Sequence, residues 1–319
     1  MKNSKTPFVL RAVILLSLLG SLSAAAQQDL LSLVNTADSV KKHERVFATF
    51  KTTKVISAQS TETVKKHCLD FRITHRFGNA GSQSGGGPHD LYGWDNISDV
   101  RISFDYGLTD NMAVGIGRSK IDEMLDFNYK WRFLEQTTDN HVPLSAAFYE
   151  VVALTPMLTA NLYTGTSDSV YKFTDRLSYV SQLILARKFS RNFSFELLPT
   201  YEHRNFVKEY VNPSNNSQDE NDLFALGAAF RMKVAKRVAI MADYFHIFSE
   251  YRMNNTVLPY YDPIAVGIEI ETGGHVFHIN FTNASAILEN SFLTNTTDTW
   301  TKGGFKFGFN ISRVFVLDN

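Results

Sequence analysis

The residues that come nearest to a known reactive motif are Gly115-Ile116-Gly117-Arg118-Ser119-Lys120. A phosphate-binding loop requires a different glycine spacing and a helix that begins directly after the loop. This segment instead alternates in polarity like a β-strand, and the stretch Gly85-Gly86-Gly87 has no Lys-Ser or Lys-Thr behind it. The glycines therefore do not indicate nucleotide binding.

Histidines near serines or carboxylates are the second candidate for chemistry. A lipase or protease would need a Ser/His/acid set, but the sequence contains no Gly-x-Ser-x-Gly motif. Glu202 and His203 are adjacent, so they point to opposite faces of a regular strand. His43 and His67 lie far apart and lack accompanying ligands. We predict no enzyme, no cofactor and no metal, and keep a lipase- or protease-type hydrolase as a minor alternative.

Charged residues with a strict two-residue period are the more informative set. In the segment VRISFDY, apolar residues 100, 102, 104 and 106 alternate with Arg101, Ser103 and Asp105, so a strand here has one apolar and one polar face. The same pattern recurs along the chain, and we predict that its charged positions line the interior of a barrel. These candidate lumen-lining residues are Asp70, Arg72, Arg76, Arg101, Asp105, Lys130, Arg132, Glu196, Glu269, Glu271 and Lys306.

Two glycines fall on this polar face in the following strand. Gly115 and Gly117 lack side chains, so they leave room for Arg101 to lie across the interior.

The strand that contains Arg101 and the strand that contains these glycines form a hairpin. The even-numbered apolar residues of the two strands share a face only if the connection between them has an odd number of residues, such as 109 to 111.

About twelve such strands follow one another from Leu69 onward. Tight turns are predicted after Tyr106, Phe133, Lys188, Val234 and Glu271, and most of the other connections are long and polar. Transmembrane barrels show this asymmetry, and an even strand number leaves both chain ends on the side of the short turns. The sequence therefore predicts an all-β fold, an antiparallel up-and-down transmembrane β-barrel. A soluble β-sandwich is less favoured because so many charged residues face the inner side.

The composition excludes several functions. The 319 residues include 32 Lys plus Arg and 32 Asp plus Glu, so the basic excess of a nucleic-acid-binding protein is absent. Cys68 is the sole cysteine, which excludes an internal disulfide. Lys2, Lys5 and Arg11 precede an apolar run and Ala24-Ala25-Ala26, which is typical of a signal peptide cleaved before Gln27.

The domain organisation then has three parts. Residues 1–26 are the signal peptide, 27–67 an N-terminal extension in the periplasm or the lumen, and 68–319 the barrel. Residues 29–43 have the pattern of a short amphipathic helix, although a mobile tail is an equal alternative. Residues 46–66 fit an extra strand pair, a strap on the barrel wall or a segment inside the lumen.

Two long blocks carry a family resemblance. The motif LDFRITHRFG, preceded by TTKVISAQSTETVKKHC and followed by SDVRISFDYGLTDN, resembles uncharacterised β-barrel proteins of Gram-negative outer membranes, known only as a domain of unknown function. The resemblance covers nearly the whole mature chain and implies an outer-membrane barrel exported by a cleaved signal peptide. It implies no reaction, substrate or catalytic residue.

Several functions are compatible with such a barrel. A porin-like transport or permeability role for a small polar solute is favoured if the interior charges line an open pore. A closed barrel acting as a scaffold or assembly partner is the alternative if those charges pair and the extension fills the lumen. Passage of an apolar ligand through a lateral opening is a third possibility. The predicted partner in every case is outer-membrane lipid, and protein partners are not identified.

Overall fold

The structure is a computed structural model that describes residues 43–158 and 172–317. The predicted signal peptide, and all but the last residue of the predicted amphipathic helix, lie outside the described residues.

Twelve antiparallel strands form one closed barrel. Each strand pairs with its neighbours in the sequence, and the last strand pairs with the first to close the sheet. The prediction of an up-and-down barrel of about twelve strands is confirmed. The strands are β1 Cys68–Asn79, β2 Ile97–Thr109, β3 Met112–Ser119, β4 Leu125–Leu134, β5 Ser145–Leu154, β6 Leu177–Lys188, β7 Phe193–Arg204, β8 Asp222–Ala235, β9 Val238–Phe248, β10 Ile264–Glu271, β11 Val276–Thr282 and β12 Lys306–Val316.

The alternation of residue types decides which face of each strand points outward. In β4, Phe127, Trp131 and Phe133 are exposed, whereas the intervening Lys130 and Arg132 are buried. The exposed large apolar residues recur on strands around the barrel, from Ile102 and Phe104 on β2 to Ile279 and Phe281 on β11. An outward apolar surface of this kind is suited to contact with lipid hydrocarbon.

The connections differ between the two ends of the barrel. At the end where β1 begins and β12 ends, which we call the turn end, residues 110–111, 189–192, 236–237 and 272–275 connect the strands. At the opposite, loop end, the connections include residues 80–96, 205–221, 249–263 and 283–305.

The prediction of a tight turn after Phe133 is wrong, because residues 135–144 form a longer connection at the turn end. This connection pairs with the chain that enters the barrel. The Val46 amide donates to the Gln136 carbonyl at 2.7 Å, and the Thr138 amide donates to the Glu44 carbonyl at 2.8 Å. The additional residues of this connection therefore bind a second segment of the chain, which contains Glu44 and Val46.

A bulge in β2 keeps the even-numbered apolar residues of β2 and β3 on one face, although the turn between the strands has an even number of residues. Gly107 pairs with Ala113, but Thr109 pairs with Met112, so Leu108 is the extra residue on β2. The two-residue turn, Asp110 and Asn111, therefore still places the even-numbered apolar residues of both strands on the outer face.

Two segments fill the interior of the barrel from opposite ends. Residues 49–64, which we call the plug, enter from the turn end and are mostly buried. Residues 283–296, the inward loop, enter from the loop end and include the short helix α1, Glu289–Asn295. In the part of the chain that the structure describes, no helix has the length and apolar character needed to cross a membrane.

Candidate functional site

The plug is a small hairpin whose tip is held by one carboxylate of the wall. The Val55 amide donates to the Ala58 carbonyl at 2.8 Å, which closes the turn. Asp243 Oδ2 on β9 accepts hydrogen bonds from the amides of Ile56, Ser57 and Ala58 at 3.1, 2.7 and 3.0 Å. Three convergent bonds to a buried charged acceptor fix the tip against β9 inside the barrel.

Charged wall residues hold the rest of the plug. Lys130 Nζ donates to the carbonyls of Thr53 and Ser60 and to Gln59 Oε1, at 2.8 to 3.0 Å. Arg72 Nη2 donates to Thr53 Oγ1 at 2.7 Å. Arg132 contacts Glu62 at 3.4 Å, and Glu271 contacts Lys51 at 3.1 Å. Four of the candidate lumen-lining residues therefore contact the plug on either side of its tip.

Two others contact the inward loop and the residues that follow it. Arg76 donates to the carbonyls of Ala284 and Ala286, and its Nη2 also donates to the plug at Ser57 Oγ, 2.8 Å away. Lys306 Nζ donates to the Asn283 carbonyl at 3.1 Å and forms an ion pair with Asp298 at 2.6 Å.

The plug and the inward loop also bind each other. Lys54 Nζ lies 2.8 Å from Glu289 Oε1, and the Gln59 amide donates to the same oxygen at 2.9 Å. Burial alone would raise the pKa of Glu289, but the Lys54 ammonium and the two hydrogen bonds outweigh burial and lower it. The ionised carboxylate therefore stabilises the closed arrangement above the ordinary glutamate pKa, and this contribution is lost as the pH falls through the lower folded pKa.

The remaining candidates pair within the wall, with one exception. Arg101 makes a two-point contact with Asp126, at 2.6 and 3.1 Å, across the neighbouring strand. The other pairs are Asp70 with Arg72, Asp105 with Asn128 and Glu269 with Arg231. Glu196 is fully buried, and neither of its carboxylate oxygens has a hydrogen-bond partner among the described residues.

The glycines of β3 make the Arg101 contact possible. A Cβ at Gly117 would lie 2.4 Å from Arg101 Nη2 and 2.5 Å from Asp126 Oδ2. A Cβ at Gly115 would lie 1.9 Å from Asp105 Oδ1. The expectation that these glycines leave space for Arg101 is therefore confirmed for Gly117, whereas the space at Gly115 is occupied by Asp105 and Asn128.

The other side of the lumen contains a large apolar cluster. Small and aliphatic residues of β5 to β9, such as Val151, Ile184 and Met241, form one buried cluster with Phe50 and Ile56 of the plug. The inward loop contributes to the same cluster, and its Phe292 ring lies 5.2 Å from the ring of Phe245. This cluster is packed like the core of a soluble protein.

Little space is left between these groups. A cavity between the plug and the wall formed by β1 to β5 has a volume of about 20 Å³. Such a volume accommodates about one or two water molecules. Beside the wall formed by β1 to β5, the described residues therefore leave no path wide enough for a solute.

The sequence reasoning missed the most important contacts of the site. It did not single out Asp243, Asp126 or Arg231, although all three alternate with apolar neighbours on predicted strands. The alternation of residues along β9 would have assigned Asp243 to the inner face. No local sequence pattern indicates the contact between Lys54 and Glu289, because the two residues belong to segments that are far apart in the sequence.

Among residues 43–158 and 172–317, no group of three or more His, Cys, Asp or Glu side chains is arranged to hold a metal ion.

The comparison with models of known families agrees with this architecture. The model of the family described as "Membrane bound beta barrel domain (DUF5777)" matches residues 50–315. No curated protein matches the sequence.

Three solved structures illustrate the fold comparison. The NanC porin is 9% identical over 78% of this chain and 98% of its own, with a TM-score of 0.45. The KdgM porin is 6% identical over 78% and 98%, with a TM-score of 0.41. The outer membrane protein Omp33 of Acinetobacter baumannii is 10% identical over 81% and 100%, with a TM-score of 0.36.

Proposed function

This chain belongs to the family of membrane-bound β-barrel domains, and from that premise we propose that it is a closed barrel of the outer membrane. In this proposal the barrel acts as a scaffold or binding partner at the cell surface and not as a permanently open pore.

The observation that carries the proposal is the packed lumen. Ile56 of the plug and Phe292 of the inward loop share one apolar cluster with the inner wall. A permanently conducting pore requires a continuous water-filled path, whereas the cavity beside the plug measures about 20 Å³. The apolar half of the lumen also makes withdrawal of the plug costly, because it would expose that surface to water.

The amino terminus and the strand number support the proposed location. The predicted signal peptide, residues 1–26, would export the chain. With twelve strands, both ends of the barrel sequence lie at the turn end, which faces the periplasm in barrels of this kind. The loop end would then face the exterior.

A porin-like permeability role is the second candidate, and one observation favours it. Glu196 is completely buried without a hydrogen-bond partner among the described residues, and Lys130 and Arg72 hold the plug by polar contacts. When the plug leaves, water would take over these hydrogen bonds, and it would also hydrate Glu196. In this role the plug would leave the lumen and a small polar solute would pass along the charged wall.

Cysteine labelling tests whether the plug stays in place. Ser57 is 2% exposed and lies at the plug tip, so Ser57→Cys in a Cys68→Ser background should react slowly with a membrane-impermeant maleimide. The control is Lys65→Cys in the same background, because Lys65 is exposed at the turn end. We expect the control to react at least about 100-fold faster, since labelling of position 57 requires an opening that costs about 2.8 kcal/mol or more. Equal rates would contradict the closed barrel.

A further inference from the structure

A cavity of about 640 Å³ lies at the loop end of the barrel beside β9 and β10. The pairing of β9 with β10 stops at Tyr244, while β9 continues to Phe248 and pairs there with β8 alone. The free edge of β9 is covered by the end of the connection that leads from β9 to β10. The Phe245 amide donates to the Pro263 carbonyl at 3.0 Å, and the Ile247 amide donates to Asp262 Oδ1 at 3.1 Å.

The residues around this cavity come from both sides of the barrel wall. His246 and Phe248 are exposed residues on the outer face of β9. Leu293 and Thr296, which also line the cavity, belong to the inward loop and are buried in the interior. The cavity therefore extends from the outer surface of the wall to the segment that closes the lumen.

Apolar and aromatic side chains form much of the lining. Phe248, Met253, Tyr260, Tyr261 and Leu293 all contribute to it. A volume of this size accommodates a drug-sized molecule, and pockets of that class are mostly apolar with a few polar groups that fix orientation. The ligand should accordingly have a substantial apolar or aromatic body.

The charges of the lining are predominantly negative. The lining contains three carboxylates, those of Glu220, Glu250 and Asp262, and one guanidinium, that of Arg252. The imidazole of His246 is hydrogen-bonded to Asp262. Arg252 is itself engaged by Asp219 at 3.0 Å and by Glu220 at 3.5 Å. Its guanidinium also lies over the Tyr260 ring, 5.2 Å from the centroid.

We propose that this cavity binds a cationic amphiphile, a molecule with an apolar or aromatic body and a positively charged group. Carboxylates and aromatic faces both attract a cation, and the outer-face residues allow the apolar body to enter from the boundary of the membrane. An anionic amphiphile is the competing ligand, because Arg252 Nη2 has no hydrogen-bond partner among the described residues. The two carboxylates beside Arg252 disfavour it. The proposal does not depend on whether the lumen ever opens.

The test uses two probes of nearly equal shape and opposite charge, tetraphenylphosphonium and tetraphenylborate. Equilibrium dialysis of the refolded mature chain in nanodiscs of zwitterionic lipid, with the signal of empty nanodiscs subtracted, measures the binding of each probe. We expect one saturable site for the phosphonium and a much weaker or absent saturable component for the borate.

Variants locate the site and separate charge from shape. Glu220→Gln combined with Glu250→Gln should weaken phosphonium binding about 10-fold, through the lost attraction of two carboxylates. Tyr261→Ala should weaken it about 5-fold through the lost aromatic face. Asp95→Asn, which changes an exposed acid of another connection, should leave it unchanged.

Three outcomes would overturn the proposal. These are the absence of saturable phosphonium binding above empty nanodiscs, tighter saturable binding of the borate, and equal phosphonium binding by the wild type and the double glutamine variant. Migration of each variant as a heat-modifiable band on gels shows that the barrel is folded, so a lost signal is not mistaken for unfolding.

Discussion

Replacing Asp243 with alanine is expected to release the plug tip from β9. The substitution leaves the amides of Ile56, Ser57 and Ala58 buried without their common acceptor. Hydrogen bonds to a charged group contribute roughly 1.5 to 3 kcal/mol each, although three bonds to one oxygen are not additive. We expect a loss of about 3 to 5 kcal/mol in the free energy that holds the plug in place.

The maleimide reaction at position 57 measures this effect directly. In the Asp243→Ala background, Ser57→Cys should react about 100-fold faster or more, since each 1.4 kcal/mol changes an equilibrium about tenfold. Asp243→Asn should have a smaller effect, because an amide oxygen still accepts hydrogen bonds but carries no charge. Asp95→Ala, at an exposed position, is the matched control and should leave the rate unchanged. An unchanged rate in Asp243→Ala would contradict the role assigned to this carboxylate.

Replacing Gly117 with valine is expected to destabilise the barrel, although valine is a good strand former. The new side chain would occupy the space between Arg101 and Asp126, whose nearest atoms lie 2.4 and 2.5 Å from the position of its Cβ. Both side chains can bend away, but only by giving up their two-point contact inside the barrel. Separating a buried ion pair costs about 3 to 5 kcal/mol, which urea unfolding in lipid vesicles would measure.

A rescue experiment distinguishes this cause from a general intolerance of valine. In an Arg101→Met, Asp126→Leu background there is no ion pair to separate, so Gly117→Val should cost little more than a local repacking, below about 1.5 kcal/mol. Gly273→Val is the second control, because a Cβ at Gly273 meets no atom within 4 Å. A full cost in the background without the ion pair would show that the valine acts through the backbone.

Local patterns were sufficient to predict the wall of this barrel. The two-residue period assigned Lys130 and Arg132 to the inner face and Phe127 and Trp131 to the outer face, and the structure places them there. A strand presents alternate residues to opposite sides whatever its partners are, so this property can be read from the strand alone. The same reasoning explains why Gly115 and Gly117 were recognised as space for a larger neighbour.

The contents of the lumen could not be predicted in this way. Asp243 and the plug amides that it binds are separated by 185 to 187 positions in the sequence. Helix α1 has seven residues, which is too short for a recognisable helical period, and the sequence around it has the polar character of a loop. Whether a barrel is open depends on such distant contacts, so a pore and a closed barrel have nearly the same strand pattern.

The single-channel conductance of the refolded mature chain in planar bilayers tests the closed barrel most directly. The comparison is a variant that lacks residues 43–64 and therefore the plug. We expect the intact chain to give no stable conductance, because the plug and the inward loop together fill the lumen. A steady, ohmic conductance of the intact chain, equal to that of the variant without the plug, would contradict the closed barrel.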